Sequence, residues 1–75
     1  MSTPELRELV VDGQKVAAAR QAAGLTQQQL AKRAGVGRVT IARIEAGTQT
    51  PSVEIALAIA RALGRSVEAL FGNGE

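Results

Sequence analysis

The sequence predicts an all-α domain built from five short helices, and three observations lead to this fold class. Glycines recur after apolar, helix-forming segments, and Thr or Ser stands where a following helix should begin. No segment shows the alternating polarity of a strand with any strength. With 75 residues, 45% of them hydrophobic, the chain is long enough for one domain with one modest core.

The first thirteen residues are predicted to lie outside this domain, as an N-terminal arm or a short extra helix. Thr3 and Pro4 are typical of a helix start, and Glu5 follows near the positive end of the helix dipole. A disordered arm fits this short segment nearly as well. Gly13 is a break, or a cap for the first helix of the domain, and residues 72–75 are predicted to be a frayed tail.

The predicted domain spans residues 14–71, and its first two helices are separated by a glycine. The first helix covers residues 14–23, with a narrow face of small side chains, and ends at Gly24. Thr26 caps the second helix, and Gln29 three residues later supplies the other half of a capping box.

The other three helices are marked by the same signals. A third helix is predicted from residue 38 to about residue 46, where Gly47 stops it. Ser52 caps a fourth helix over residues 53–63, and Ser66 caps a last short helix that ends at residue 70 or 71.

The fourth helix is apolar nearly all round, which predicts a contact surface beyond the core. We expect its inward face to consist of Val53, Ala56, Leu57, Ala60 and Leu63. The remaining apolar positions, together with the last helix, predict a dimer surface that consists of Ile55, Ala58, Ile59, Val67, Leu70 and Phe71. The alternative is a wide core face with a few exposed alanines, since scattered exposed apolar residues are normal.

Charge is distributed unevenly along the chain. Residues 13–50 carry six basic residues and one acid, for a net charge of +5, whereas the rest of the chain carries −3. This asymmetry favours a polyanionic partner for one half of the molecule. Chance clustering of charge on a solvated face is the alternative.

The sequence Gly35-Val36-Gly37 has three possible interpretations: a nucleotide-binding loop, a weak point in one long helix, or a turn between two helices. A dinucleotide fingerprint requires a third glycine at position 40, where Thr40 stands, and it requires a preceding strand. A Walker loop requires Gly-Lys followed by Ser or Thr, which is absent. The nucleotide-loop interpretation is therefore rejected.

A helix-turn-helix explains the two glycines, because two helices joined by a short turn need particular residues at particular positions. In a window of twenty residues from Gln27, apolar side chains are needed at the fourth, eighth, tenth, fifteenth and eighteenth positions. A small residue is needed at the fifth position, and a residue that tolerates positive φ is needed at the ninth. The sequence meets all seven requirements, with Leu30, Ala34, Val36, Ile41, Ile44, Ala31 and Gly35 respectively.

The run from residue 24 to residue 71 resembles the lambda-repressor-like helix-turn-helix family of the Cro/cI or XRE type. The matching pattern is L-T-Q-x-x-L-A-x-x-x-G-V, then I-x-x-I-E-x-G, then P-S, then I-A-x-A-L-G. The likeness extends over about three quarters of the chain, from Gln14. It implies a compact five-helix fold, a third helix in the DNA major groove, and a two-fold dimer on a near-palindromic operator.

The resemblance also implies roles for individual residues. Base reading is expected from the exposed face of the third helix, at Arg38, Val39, Thr40 and Arg43. Phosphate contacts are expected from the start of the second helix and from the turn and loop around the third, at Gln27, Gln28, Lys32, Gly37, Thr48 and Gln49. Gly37 either lets the backbone come close to a phosphate or is only a tolerated helix cap.

Arg20 and Glu45 match family positions that often form an internal ion pair, and we expect a structural role for both. An acid near the C-terminal end of a helix faces the negative end of the dipole and needs a cation nearby. The pair would join the first helix to the end of the third.

These observations favour a cytoplasmic, homodimeric transcription regulator of the repressor or controller type. The alternative is an antitoxin or coactivator-like module that uses the same fold to hold a protein partner such as a toxin. An enzyme is not expected, because His, Cys and Tyr are absent and the carboxylates are scattered. No metal or other cofactor is expected, and no apolar run is long enough to span a membrane.

Overall fold

The computed structural model describes residues 13–72, which form five α-helices and contain no strand. The helices are α1 (Gly13–Ala22), α2 (Gln27–Ala34), α3 (Arg38–Ala46), α4 (Val53–Leu63) and α5 (Val67–Phe71). The predicted all-α fold with five helices is confirmed. Gly13 is the first described residue of α1, so the predicted boundary after residue 13 lies inside a helix. The predicted arm or extra helix and the rest of the tail lie outside the described residues.

Side-chain caps set the start of three helices. The hydroxyl oxygens of Thr26, Ser52 and Ser66 each accept a hydrogen bond from the backbone N–H three residues later, at 3.0, 3.2 and 3.0 Å. At Thr26 the predicted capping box is complete, because the Gln29 side chain accepts from the Thr26 backbone N–H at 2.8 Å. These bonds satisfy donors that the first turn of a helix leaves free.

The core lies where the five helices meet, and it is built from aliphatic side chains. Its largest fully buried members are Val16, Leu30, Ile41, Ile44, Ile59 and Leu70. α2 packs against α3 and α4, while α1 packs against α3 and α5. This arrangement holds α2 and α3 in a fixed relation, with the polar faces of both helices outside the core.

The predicted inward face of α4 is confirmed at Ala56, Ala60 and Leu63 and is wrong at its other two positions. Val53 and Leu57, expected to face inward, are 76% and 41% exposed, whereas Ile59 is fully buried. Two overlapping faces of this helix could pack inward, and both contain Ala56 and Ala60. One face adds Val53 and Leu57, and the other adds Ile55 and Ile59. Packing against α2 buries the isoleucine face, which lies opposite the exposed charges of Glu54 and Arg61.

The predicted dimer surface therefore loses two members. Ile59 and Leu70 are 0% and 1% exposed and belong to the core, so neither can contact a second molecule. Ile55, Val67 and Phe71 are partly buried and pack against the core cluster.

An apolar groove remains between α4 and α5. We use this name for the concave surface lined by Pro51, Ser52, Val53, Ala56, Leu57, Val67 and Phe71. Exposed apolar side chains gathered in one concave surface differ from singly scattered ones, because they can be covered together by one partner.

None of the helices described between residues 13 and 72 is long and apolar enough to cross a membrane.

Candidate nucleic-acid interface

The turn between α2 and α3 fixes the angle between the two helices. Gly35 has φ 74° and ψ 29°, a left-handed conformation that favours glycine, and its N–H bonds to the carbonyl groups at the end of α2. The Val36 N–H donates to the Ala31 carbonyl oxygen at 3.0 Å. Val36 packs against the core, and Gly37 then begins α3 as its cap residue. The two glycines thus belong to a turn between helices, as the sequence predicts.

α3 presents one polar face to solvent. Ile41 and Ile44 are fully buried on its inner side, and Arg38 and Arg43 are exposed on the other. Val39 is 50% exposed and Thr40 is partly exposed beside it. All four residues predicted to read bases are therefore accessible on the described surface.

A shallow cleft brings residues from α2 and α3 together. It is lined by Gln28, Lys32 and Arg38, with Ala31 and Val36 between them. Gln28 and Lys32 lie one turn apart on the exposed side of α2, and Arg38 stands at the first position of α3. Two positive charges and a carboxamide thus line one concave surface, which suits an anionic ligand such as a DNA backbone.

Gln27 occupies the first position of α2, where backbone N–H groups of the first turn have no acceptor within the helix. Such a helix start attracts anions. The Gln27 side chain is half-buried, and its Nε2 donates to Glu45 Oε1 at 3.0 Å. A side chain predicted to contact phosphate is thus also bound within the protein.

The ion pair expected between Arg20 and Glu45 is present. Arg20 Nε and Glu45 Oε2 are 2.7 Å apart, and Arg20 Nη2 donates to Glu45 Oε1 at 3.2 Å. The Arg20 and Glu45 side chains are only 13% and 7% exposed. The pair therefore joins α1 to the end of α3 and leaves neither charge free for a ligand.

Thr48, in the loop after α3, has no hydrogen-bond donor left free for DNA. Its backbone N–H and its hydroxyl both donate to the Arg43 carbonyl oxygen, at 2.9 and 3.2 Å. These bonds hold the start of the loop against α3. Gln49 next to it is partly exposed and has an amide available.

Not all the basic residues between positions 13 and 50 contribute charge to the candidate interface. Lys15 donates from Nζ to the Gly72 carbonyl oxygen at 3.2 Å, at the end of α5, and Arg20 is paired. The remaining cations are exposed and lie on α2 and α3, at Lys32, Arg33, Arg38 and Arg43. Four unpaired positive charges of the segment thus lie on two adjacent helices.

Sequence reasoning missed the bond between Gln27 and Glu45. The two residues are 18 positions apart and belong to different helices, so no helical or strand spacing connects them. Only the packing of α2 against α3 brings them together.

A helix-turn-helix family model matches residues 16–70 of the chain. The chain belongs to this helix-turn-helix family. The match includes α2, the turn and α3, and it continues through the core residues of α4 and α5.

Individual members of the helix-turn-helix family support the same assignment. An uncharacterised HTH-type transcriptional regulator of Methanothermobacter thermautotrophicus is 51% identical over 53 residues, which are 69% of this chain and 77% of that protein. The restriction-modification controller protein C.AhdI from Aeromonas hydrophila has a similar structure, with a TM-score of 0.79 and 34% identity. That match covers 87% of this chain and 98% of the controller.

The P22 c2 repressor, solved in complex with a synthetic operator, is a second structural relative of this helix-turn-helix chain. Its TM-score is 0.77 and its sequence identity is 31%, over 81% of this chain and 92% of the repressor. Both structures share the fold of this chain over most of its length.

Proposed function

We propose that this chain is a sequence-specific double-stranded DNA-binding transcriptional regulator of the repressor or controller type. The observation that carries the proposal is the exposed polar face of α3, beside the cationic cleft that it forms with α2. A helix of this width fits the DNA major groove, and helix-turn-helix proteins place the second helix of the motif there. Relatives described as transcriptional regulators and repressors support the assignment.

Base recognition is assigned to the start of α3. Arg38 is the first residue of the helix, and its guanidinium can donate two hydrogen bonds to guanine O6 and N7. Val39 suits contact with a thymine methyl group, and Thr40 lies next to it. Arg43, further along the helix, is placed to reach a base or a phosphate.

Phosphate contacts are assigned to the groups that border α3. Gln27 and Gln28 offer side-chain amides and the free N–H groups of the α2 start, and Lys32 adds a charge in the cleft. Gly37 and Gln49 flank the two ends of α3. Thr48 is a weaker candidate, because its hydroxyl already donates to the Arg43 carbonyl oxygen.

A homodimer is proposed through the apolar groove between α4 and α5. Val53 and Leu57 are the exposed apolar side chains that the core leaves uncovered there, and Val67 and Phe71 line the same groove. A second copy with the same groove would cover both surfaces at once, as a two-fold interface requires. Two α3 helices would then read half-sites about 34 Å apart.

The groove also supports a second candidate function, that of an antitoxin or coactivator-like module. In that case another protein, such as a toxin, would occupy the groove. The sequence contains no His, Cys or Tyr, which argues against an enzyme.

Selection of bound sites from random duplex DNA tests the proposed function. We expect one enriched near-palindromic sequence with two half-sites separated by about one helical turn. The Arg38→Ala variant should bind the selected site about 1–3 kcal/mol more weakly and lose preference at one base pair.

Arg61→Ala is the matched control, since Arg61 is equally charged and exposed but lies on α4. It should leave site preference unchanged. Equal weakening of selected and random DNA by Arg38→Ala would contradict the base-reading role, and enrichment of no sequence would contradict sequence-specific binding.

A further inference from the structure

Glu45 is an acidic residue on the DNA-facing half of this protein. It is the only acidic residue between positions 13 and 50. It stands in the last turn of α3, where the helix dipole is unfavourable for an anion. The ion pair with Arg20 compensates this charge, and the carboxylate has a further partner on α2.

The carboxylate of Glu45 connects three helices. Arg20 on α1 donates to both of its oxygens, from Nε at 2.7 Å and from Nη2 at 3.2 Å. Arg20 also donates from Nη1 to the Leu25 carbonyl oxygen at 2.8 Å, just before α2. The guanidinium neutralises the carboxylate and helps to fix its position, because it is itself held by the Leu25 carbonyl oxygen.

The third partner of this carboxylate is the Gln27 side chain. A carboxylate only accepts hydrogen bonds, so the Gln27 carboxamide must turn its Nε2 toward Glu45 and its oxygen away from it. Nε2 carries two hydrogens, and the bond to Glu45 uses one. The second remains available at the start of α2, beside backbone N–H groups with the same polarity.

We infer that Glu45 is a positioning residue for DNA binding: it orients the Gln27 carboxamide so that its NH₂ group, rather than its oxygen, is presented to a DNA phosphate. The inference rests on the proposed function and adds a residue that does not touch the DNA. An unanchored Gln27 would rotate freely and would have to be ordered on binding, which weakens the contact.

Removal of the Glu45 charge should change DNA affinity in opposite directions under the two explanations, simple electrostatics and positioning of Gln27. Removing a negative charge from a DNA-binding surface should strengthen binding, because the net attraction to the polyanion rises. If Glu45 positions Gln27, Glu45→Gln should instead weaken binding, roughly threefold to tenfold, because its neutral amide oxygen accepts more weakly than a carboxylate and its NH₂ group cannot accept at all. Gln27→Ala should weaken binding by a similar factor.

The experiment measures affinity for random duplex DNA at low salt, for wild type, Glu45→Gln, Gln27→Ala and the double variant. We expect the double variant to bind no more weakly than Gln27→Ala, because the two residues act as one unit. Glu54→Gln is the matched control: it removes the same charge from an exposed position on α4 and should not weaken binding. Thermal unfolding establishes that each variant is folded at the assay temperature.

Glu45→Asp is the second variant, and it keeps the assay decisive if Glu45→Gln does not fold. It retains the charge but is shorter by one methylene group, so it cannot hold Arg20 and Gln27 in the same geometry. It should weaken binding in the same direction as Glu45→Gln, without a change in net charge.

A readout in the free protein separates this inference from the proposed function. The side-chain NH₂ resonances of Gln27 should differ from those of the exposed Gln28 in wild type, and they should move toward the Gln28 values in Glu45→Gln. Unmoved resonances would overturn the inference, as would unchanged or tighter DNA binding by Glu45→Gln, or further weakening in the double variant. Wild-type protein that binds no DNA would overturn the proposed function itself.

Discussion

At the scale of single residues, Gly13 shows a constraint that the sequence does not reveal. The sequence suggests a break or a cap, yet Gly13 is buried at the start of α1. A Cβ built on it would lie 2.1 Å from the Ile44 carbonyl oxygen and 2.5 Å from that of Glu45. The start of α1 therefore lies directly against the last turn of the proposed recognition helix. Local patterns predict where a helix begins, whereas a contact between backbones 31 positions apart depends on the packed fold.

The first prediction at this scale is that Gly13→Ala destabilises the protein. Helix propensity alone favours alanine over glycine by about 0.8–1.0 kcal/mol within a helix. The backbone atoms around Gly13 cannot move aside as a side chain can, so we expect a net loss of about 1–3 kcal/mol, typical of an overpacked core. Urea unfolding followed by circular dichroism measures the change.

Gly37→Ala is the matched control for Gly13→Ala. Gly37 has φ −77°, and a Cβ on it would approach only Thr40 Oγ1, at 3.9 Å. Alanine is a poorer N-cap than glycine, so the control should lose roughly 0.5 kcal/mol of unfolding free energy, less than Gly13→Ala. Equal stability of Gly13→Ala and wild type would show that α1 and α3 can separate without cost.

At the scale of the helices, the cap residues were predictable because each acts within four positions of the chain. Thr26, Ser52 and Ser66 all make the expected bond, and each helix described here begins or ends within one residue of its predicted limit. The inward face of α4 was missed although the sequence indicates it: Glu54 and Arg61, seven positions apart, mark one exposed side, and Ile59 lies opposite them. Two charged residues spaced by two helical turns are enough to orient a helix whose other positions are all apolar.

The cap of α3 yields the prediction at this scale. Gly37 begins α3 without a side-chain hydrogen bond, unlike the other capped helices. Gly37→Ser supplies an oxygen for the Thr40 N–H and has room for it, so the unfolding free energy should rise by a few tenths of a kcal/mol. Ser52→Gly, the reverse change on α4, should lower it by a similar amount. Calorimetric melting detects both as small shifts of Tm in opposite directions.

DNA binding by Gly37→Ser distinguishes the two interpretations of this glycine. Equal weakening on selected and random DNA indicates that the bare backbone approaches a phosphate. Unchanged binding with the gain in stability indicates that glycine is only a tolerated cap. A loss of stability in Gly37→Ser would contradict the proposed cap geometry.

At the scale of the whole molecule, some features of the candidate site could be predicted from the sequence and one could not. The exposed residues of α3 are determined by the position of the turn, since Ile41 and Ile44 must face the core and Arg38 and Arg43 then face solvent. The ion pair of Arg20 and Glu45 was expected from the family resemblance. The link from Glu45 to Gln27 required the packed arrangement of α1, α2 and α3.

The last prediction concerns assembly through the apolar groove. Val53 is 76% exposed and stands at the first position of α4, where an acid interacts favourably with the helix dipole. Val53→Asp should therefore leave the folded monomer as stable as wild type, while placing an unpaired charge in a buried dimer interface, which is strongly unfavourable. We expect the dimer dissociation constant in analytical ultracentrifugation to rise at least about tenfold, with weaker binding to a two-half-site operator.

Ala69→Asp, which adds the same charge to an exposed alanine of α5 beside Lys15 and Arg65, should leave the dimer unchanged. Dimerisation that persists in Val53→Asp would exclude the groove as the interface, and a wild-type monomer would leave the groove for a different protein partner, which is the second candidate function.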